Sequence, residues 1–156
     1  MEPIHAPNAE FQVAWTLAAP PDRVFPLLCP VLEYDWIATW QCEMVNTLSG
    51  VAEEDCIFRT TRPGDGEMTW ITTRYEANRA IDYTGFVAGS HIMRLKIALA
   101  PTGSGQTRLN WTRRFLALTP AGAEFVAAYT REKHDTMMSG LHASLTHYLA
   151  TGVCLR

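Results

Sequence analysis

The fold is decided by TPAGAEFVAAYTREKHDTMMSGLHASLTHYL, residues 119–149, whose pattern predicts one long helix. Thr119 suits the N-cap, and Pro120 suits the first helical position because its missing N–H would have no partner there. Gly152 follows the helix as a C-cap. A helix with one apolar face lies on another layer of structure, which the preceding residues must supply. That face, at about 100° per residue, collects Val126, Thr130, His134, Met137, Met138, Leu141, Leu145 and Tyr148.

The residues before this helix predict seven β-strands. Residues 10–18 alternate apolar and polar side chains, which is typical of a strand with one covered face. Pro26 and Pro30 then break a helical segment into two short turns that end near Trp36. Tight turns separate the remaining strand-like runs, so the order predicts an α+β fold: a curved antiparallel sheet wrapped around the long C-terminal helix. These six runs are residues 42–47, 55–61, 68–76, 80–87, 92–100 and 108–115.

The composition excludes several classes of function. The chain has 156 residues, of which 47% are hydrophobic, so we expect a single domain over residues 1–156 with a buried core. With 13 Lys and Arg against 16 Asp and Glu and no basic cluster, nucleic acid is not an expected partner. The apolar runs are shorter than the ~18 residues of a membrane span, and the first residues lack a signal-peptide pattern. We therefore expect a cytoplasmic protein without a membrane span.

Motifs for metal, redox or covalent chemistry are missing from the sequence. The four cysteines lack C-x-x-C spacing, so we expect buried thiols rather than a zinc site or disulfides. The five histidines include no pair at i, i+4, so we predict no metal site. Neither a phosphate-binding glycine loop nor a G-x-S-x-G motif occurs. We therefore expect no cofactor.

Four short motifs are similar to those of a known superfamily. The motifs are Val24-Phe25-Pro26-Leu27-Leu28-Cys29-Pro30, Glu33-x-x-Trp36-Ile37-x-x-Trp40, Ser49-Gly50-x-Ala52-Glu53 and Leu118-Thr119-Pro120-x-Gly122. With the order of elements over residues 11–152, they resemble bacterial stand-alone members of the polyketide cyclase/dehydrase-like branch of the SRPBCC superfamily. The resemblance implies the helix-grip fold of pollen allergens and START domains, with a ligand cavity between sheet and helix. Members include carriers, cyclases, hydrolases and chaperone regulators, so the fold alone does not specify the function.

The resemblance makes inward-facing side chains the candidates for binding. Alternation along the strands places Met93 inward and puts Trp111 and Arg113 on one face of the last strand. An aromatic and methionine-rich lining suits a flat apolar ligand. The predicted lining is Trp36, Trp40, Trp70, Tyr83, Met93, Trp111, Arg113, Thr130, Met137, Met138 and Leu141. The same residue types also fill ordinary protein cores.

Arg113 is a charge on an otherwise apolar strand face. A buried guanidinium is costly unless it is paired, so Arg113 is a candidate to clamp a carboxylate or an enolate of a ligand. The alternative is that it lies near the strand end and reaches solvent or a structural acid.

His134 lies in the middle of the apolar helix face. An imidazole that titrates near neutrality suits a general acid or base acting on a polarised ketone. Its helical neighbours Thr130 and Met138 do not orient a base, however. The alternative is a neutral, hydrogen-bonded histidine with a structural role.

Three hypotheses for the function remain open. The first is a cofactor-free protein that binds a small hydrophobic molecule, aromatic or polyketide-like. The second is a cyclase or dehydratase in which His134 moves protons and Arg113 or Tyr83 stabilises negative charge. The third is a regulatory or interaction module with an exposed apolar patch. The sequence leaves the oligomeric state open between monomer and homodimer.

Overall fold

Seven antiparallel strands form one sheet in the computed structural model, which describes residues 2–6, 8–62 and 66–156. Within these residues the strand order is β1-β7-β6-β5-β4-β3-β2, so that β2 to β7 form a meander and β1 pairs with β7. This confirms the α+β helix-grip prediction. The strands are β1 Ala9–Leu17, β2 Cys42–Asn46, β3 Ile57–Arg62, β4 Gly66–Glu76, β5 Ala80–Val87, β6 His91–Thr102 and β7 Gln106–Ala117.

Short helical turns connect β1 to β2, as the prolines predict. Helix α1, Pro21–Val24, continues into a 3-10 helix over Phe25–Leu28, and a second 3-10 helix covers Glu33–Asp35. Pro26 lies within the first 3-10 helix. The broken segment therefore changes direction repeatedly instead of forming one rod.

The predicted single helix over residues 119–149 is wrong in one respect, because the structure contains two helices there. Helix α2 is Pro120–Ala128 and helix α3 is Arg131–Thr151. Tyr129 and Thr130 between them have extended backbone, with ψ angles of 91° and 161°. The hydroxyl of Thr130 accepts a hydrogen bond from the backbone N–H of Lys133 at 3.2 Å, so Thr130 is the N-cap of α3.

The predicted caps at the two outer ends are present. Thr119 accepts a hydrogen bond from the N–H of Gly122, and Gly152 ends α3 with a φ angle of 71°. Gly122 lies against the β5–β6 turn, where an added Cβ would overlap the carbonyl oxygen of Ser90. A side chain at this position would therefore push α2 away from the sheet.

A β-bulge in β4 determines which of its side chains face the helices. Pairing with β5 steps from Thr72 opposite Tyr83 to Arg74 opposite Asp82, which leaves Thr73 as an extra residue. Because of this extra residue, Trp70 and Tyr75 turn to the same side of the sheet despite their odd spacing. Tyr75 packs edge-on against Phe25, with ring centroids 5.3 Å apart.

Candidate ligand-binding cavity

A cavity lies between the sheet, the connector after α1, and the two C-terminal helices. The volume of this cavity is about 110 Å³, several times the ~10–15 Å³ that one water molecule requires. The cavity is lined by Pro30, Glu33, Trp36, Ile37, Trp40, Phe58, Thr60, Arg62, Gly66, Met68, Trp70, Tyr83, His91, Met93, Leu95, Trp111, Arg113, Phe115, Phe125, Tyr129, Met137 and Leu141.

Three aromatic side chains of the wall are held by the carbonyl groups of residues 27–30. The indole N–H of Trp36 donates to the carbonyl of Leu27, and that of Trp40 donates to the carbonyl of Pro30, both at 2.7 Å. The hydroxyl of Tyr83 donates to the carbonyl of Leu28 at 2.9 Å. Because their polar atoms are satisfied by the backbone, these rings offer the cavity mainly apolar surface.

A second group of rings continues the wall across β3, β4 and β5. Phe58 lies parallel to Trp70 at a centroid distance of 6.0 Å, and Tyr83 meets both rings edge-on. Trp70 pairs across the strands with Gly85, and a Cβ at Gly85 would lie only 2.8 Å from the Trp70 ring. The missing side chain at Gly85 therefore leaves the space that the Trp70 indole occupies.

Two arginines bring positive charge to this mostly apolar cavity. Nη1 of Arg62 and Nη1 of Arg113 each lie 3.7 Å from the sulfur of Met137. The guanidinium of Arg62 also lies over the Trp40 ring, 5.6 Å from its centroid. Arg113 is only 7% exposed and interacts with Tyr129, and burial lowers the pKa of Arg113 to about 10. Both arginines are therefore cations at neutral pH.

Among the described residues, Glu33 is the acidic residue of the cavity wall. Loss of contact with water raises the pKa of the partly buried Glu33 carboxyl to about 8, although Arg62 and Arg113 act in the opposite direction. At neutral pH this carboxyl is therefore mostly protonated. The cavity then carries two cations and a neutral acid, which is an arrangement that attracts anions.

Two donors in the wall have no hydrogen-bond partner among the described residues. They are Nε of Arg113 and the indole Nε1 of Trp111, which is 3% exposed. Trp111 and Arg113 lie two residues apart on β7, so their side chains are on the same face of the strand. An unpaired buried donor is costly, and such donors mark places where a ligand can supply acceptors.

Most of the predicted lining residues surround this one space. They are Trp36, Trp40, Trp70, Tyr83, Met93, Trp111, Arg113, Met137 and Leu141. Their contact with a ligand stays a prediction. The hydroxyl of Tyr83 is already engaged with Leu28, and burial raises the pKa of Tyr83 well above its ordinary value, so it is poorly placed to stabilise a ligand anion.

Three predicted site residues lie elsewhere. Thr130 is exposed and caps α3, and Met138 is buried in the core beside the cavity rather than in its wall. His134 is fully buried and also does not line the cavity. Its ring stacks on Phe11 at a centroid distance of 4.9 Å, and its Nδ1 lies 3.1 Å from the carboxylate of Asp135. The role of His134 as an acid or base therefore has no support from its position.

Sequence reasoning missed Arg62 and Glu33 as site residues. Arg62 lies on the same strand face as Phe58 and Thr60, so the alternation of side chains along β3 could have identified it as a cavity residue. Glu33 lies in a 3-10 turn of the connector, where no periodicity indicates the direction of a side chain. The tight turn predicted between the runs 55–61 and 68–76 falls on residues 63–65, which lie outside the described residues.

The cysteines and acidic residues form no site of their own within the described ranges. No group of three or more His, Cys, Asp or Glu side chains is placed there to hold a metal ion. The cysteines are free thiols, and burial raises the pKa of Cys29 to about 12 and that of Cys42 to about 11. None of the helices in the described part of the chain is long and apolar enough to cross a membrane.

The family follows from a comparison with family models. The model described as "Polyketide cyclase / dehydrase and lipid transport" matches residues 8–146, nearly the whole chain. The chain belongs to this family. The match confirms the resemblance that the short motifs indicated, and it supports hydrophobic ligand binding in general terms. No curated protein is significantly similar to the sequence.

Solved structures show the same fold at low sequence identity. A norcoclaurine synthase mutant of Thalictrum flavum, solved with a transition state analogue, is 12% identical with a TM-score of 0.70, covering 95% of this chain and 98% of its own. Ara h 8.0201 is 15% identical with a TM-score of 0.67, covering 93% and 99%. A protein of Rhodobacter sphaeroides is 19% identical with a TM-score of 0.68, covering 90% and 91%. At such identities the likeness concerns the fold alone.

Proposed function

We propose that this polyketide cyclase/dehydrase family member binds a small aromatic or polyketide-like molecule in the cavity between sheet and helices. The observation that carries the proposal is the space of about 110 Å³ that remains open inside an otherwise buried aromatic wall. Burying an apolar ligand there gains roughly 25 cal/mol for each Å² of apolar surface removed from water. Flat aromatic ligands match a wall built from parallel and edge-on rings.

The wall is held in place before any ligand arrives. Hydrogen bonds from Trp36, Trp40 and Tyr83 to backbone carbonyls hold these three rings at the edge of the cavity. Binding therefore requires little reordering of the protein, which lowers the entropic cost of association. The internal cavity favours ligand binding over the interaction module, which predicts an exposed apolar patch in its place.

The test compares a blocked cavity with a matched control. Leu141 lines the cavity, whereas Ala143 on the same helix is exposed. We expect Leu141→Trp to weaken binding of a naphthalene-type probe by at least about tenfold, because the indole occupies the space of the ligand. Ala143→Trp is expected to bind like the native protein. Fluorescence titration measures the affinity, circular dichroism checks the fold, and native mass spectrometry looks for a co-purifying molecule.

Equal affinity in a folded Leu141→Trp variant contradicts the proposal, because the probe must then bind outside the cavity. A cytoplasmic location, and the choice between monomer and homodimer, stay predictions that this test does not address.

A cyclase or dehydratase activity is the second candidate, and one observation favours it. Glu33 lies in the cavity wall near two guanidinium groups, and its pKa of about 8 suits proton transfer near neutral pH. The arginines are placed to stabilise an enolate. In this candidate Glu33 takes the role that the sequence had suggested for His134.

Hydrogen–deuterium exchange at the α-carbon of a small β-diketone tests the enzyme candidate. We expect the protein to accelerate the exchange, and the rate to rise with pH as the Glu33 carboxyl loses its proton. Glu33→Gln is expected to abolish the acceleration while the diketone still binds, and Glu54→Gln, at an exposed position, serves as the control. Absence of any acceleration by the native protein rejects this candidate and leaves the binding function intact.

A further inference from the structure

The polar groups of the cavity are mainly hydrogen-bond donors, which restricts the chemistry of the ligand. We propose that the ligand carries a carboxylate, and that this group docks between Arg62 and Arg113 while the apolar body of the ligand lies against the aromatic wall. The proposal rests on the binding function above and specifies its ligand class.

The two guanidinium groups converge on one poor acceptor. Their Nη1 atoms both lie 3.7 Å from the sulfur of Met137, so these two nitrogens are at most twice that distance apart. A thioether sulfur is a weak hydrogen-bond acceptor and carries no negative charge. Two like charges held this close in an apolar surrounding are costly until an anion joins them.

Unpaired donors identify where the acceptors belong. Nε of Arg113 and Nε1 of Trp111 have no partner within the described ranges, and both residues line the cavity. A carboxylate has two oxygens and about four lone-pair sites, so it can accept from a guanidinium and from a second donor together. Neutral apolar ligands would leave these donors unpaired.

Among the described residues, no side chain supplies the missing anion. Glu33 forms no ion pair with either arginine among the residues that the structure describes. Its raised pKa keeps the carboxyl mostly protonated at neutral pH, so it does not neutralise the two cations. Within the described part of the chain, the two cations therefore lack a counter-charge that a ligand carboxylate can supply.

A pair of ligands of equal size separates this inference from the proposed function. Naphthoate is an anion and naphthamide its neutral counterpart, and isothermal titration at pH 7 measures both affinities in the native protein. We expect naphthoate to bind at least about tenfold more tightly, as charge-assisted hydrogen bonds to guanidinium groups imply. Equal affinities overturn the carboxylate site and leave ligand binding standing, whereas failure of both ligands overturns the proposed function and this inference with it.

Neighbouring arginines on the same strands provide matched controls. Arg59 on β3 and Arg114 on β7 lie on the opposite strand faces and pair with Glu67 and Glu10. We expect Arg62→Gln and Arg113→Gln each to reduce the ratio of naphthoate affinity to naphthamide affinity severalfold. Arg59→Gln and Arg114→Gln are expected to keep the full preference. An equal loss in the control variants overturns the proposal, because the preference would then reflect overall charge.

The pH dependence gives a second measurement that needs no change to an arginine. Between pH 7 and 9 Glu33 loses its proton and becomes a competing anion, so naphthoate binding should weaken severalfold and naphthamide binding should not. Glu33→Gln should remove this weakening. Glu33 is faced by Arg62, Arg113, Tyr83, Cys29 and Cys42.

The thiols and the tyrosine hydroxyl that face Glu33 keep their protons in this pH range. Burial raises the pKa of Cys29 to about 12, that of Cys42 to about 11, and that of Tyr83 well above its ordinary value. His91 and Tyr129 also line the cavity. Weakening that persists in Glu33→Gln contradicts the assignment of the competing charge to Glu33.

Discussion

Two neighbouring regions along helix α3 differ in how buried polar groups are accommodated. The first is the seam, defined as Phe11 and Trp15 of β1 with His134 and His142 of α3, where each histidine ring stacks on an aromatic ring at 4.8–4.9 Å. The second is the cavity, where Arg62 and Arg113 share the sulfur of Met137. The seam is filled by ring contacts, whereas the cavity contains open space beside its charges.

The difference lies in what each polar group can do when it is buried. Burial lowers the pKa of His134, so this ring becomes neutral and packs like an aromatic side chain, even though its Nε2 has no partner among the described residues. An arginine cannot discharge itself in this way at neutral pH. Burial alone therefore does not identify a functional group. Unpaired charge next to open space is the stronger indication.

The largest expected effect on stability comes from two leucines of α3, one in the packed core and one at the cavity. Leu145 is fully buried, whereas Leu141 borders the cavity and is only partly buried. We expect Leu145→Ala to lower the free energy of unfolding by about 3–5 kcal/mol, because it opens a new hole in packed surroundings. Leu141→Ala should cost about 1–2 kcal/mol, because part of its surface already faces empty space. Urea denaturation measures both values, and equal losses contradict the description of the cavity as open.

Replacement of Glu33 is expected to have an intermediate effect on stability, which appears in its pH dependence. Its pKa is about 8 in the folded protein against 4.5 for an ordinary glutamate, so the folded state binds this proton more tightly than the unfolded state. Its contribution to stability is therefore present below pH 4.5 and is lost as the pH rises towards 8. We expect Glu33→Gln to stabilise the protein by about 1–3 kcal/mol at pH 9, after allowance for its partial exposure. Urea denaturation at pH 5 and pH 9 measures the free energy of unfolding of the variant and of the native protein. If this free energy changes with pH equally in both proteins, the assignment to Glu33 is contradicted.

Replacement of His134 is expected to have the smallest effect on stability. The pH dependence that His134 contributes is opposite to that of Glu33. Because its pKa is lowered in the folded state, its contribution is present above about pH 6.5 and is lost as the pH falls. His134→Phe should keep the stacking on Phe11, change the stability at pH 8 by less than about 1 kcal/mol, and reduce the loss of stability on the acid side. Ligand affinity should not change. If a folded His134→Phe variant loses deuterium exchange that the native protein catalyses, His134 is a catalytic residue after all.

Much of the fold could be predicted from the order of local patterns. Alternation along residues 10–18 and the turn residues between the later runs indicated all seven strands, and the run over residues 80–87 has the observed bounds of β5. These signals are local, because alternation and turn chemistry depend on neighbours in sequence. The face of β7 that carries Trp111 and Arg113 followed from the same alternation.

The interruptions of regular structure were not predictable in the same way. Tyr129 and Thr130 continue the helical pattern of apolar and polar residues, and only the cap formed by Thr130 shows that a new helix begins. The bulge at Thr73 likewise changes the facing of Tyr75 without any change in residue type. At the helix break and at the bulge, the regular and the interrupted backbone have similar local free energies. Contacts with the rest of the fold therefore decide which of the two conformations forms.

The family, the succession of strands along the chain and an aromatic-rich face with a charge at Arg113 follow from the amino-acid sequence alone. Which polar groups meet depends on the tertiary fold. It packed His134 against Phe11 and brought Arg62, Arg113 and Glu33, from three separate elements, to one cavity. The hydrogen bond from Tyr83 on β5 to the carbonyl of Leu28 attaches the connector to the sheet, while Trp36 and Trp40 donate to carbonyls within the connector itself. Tyr83 and Leu28 are 55 residues apart in sequence, and no local pattern encodes the space that such a long-range contact encloses.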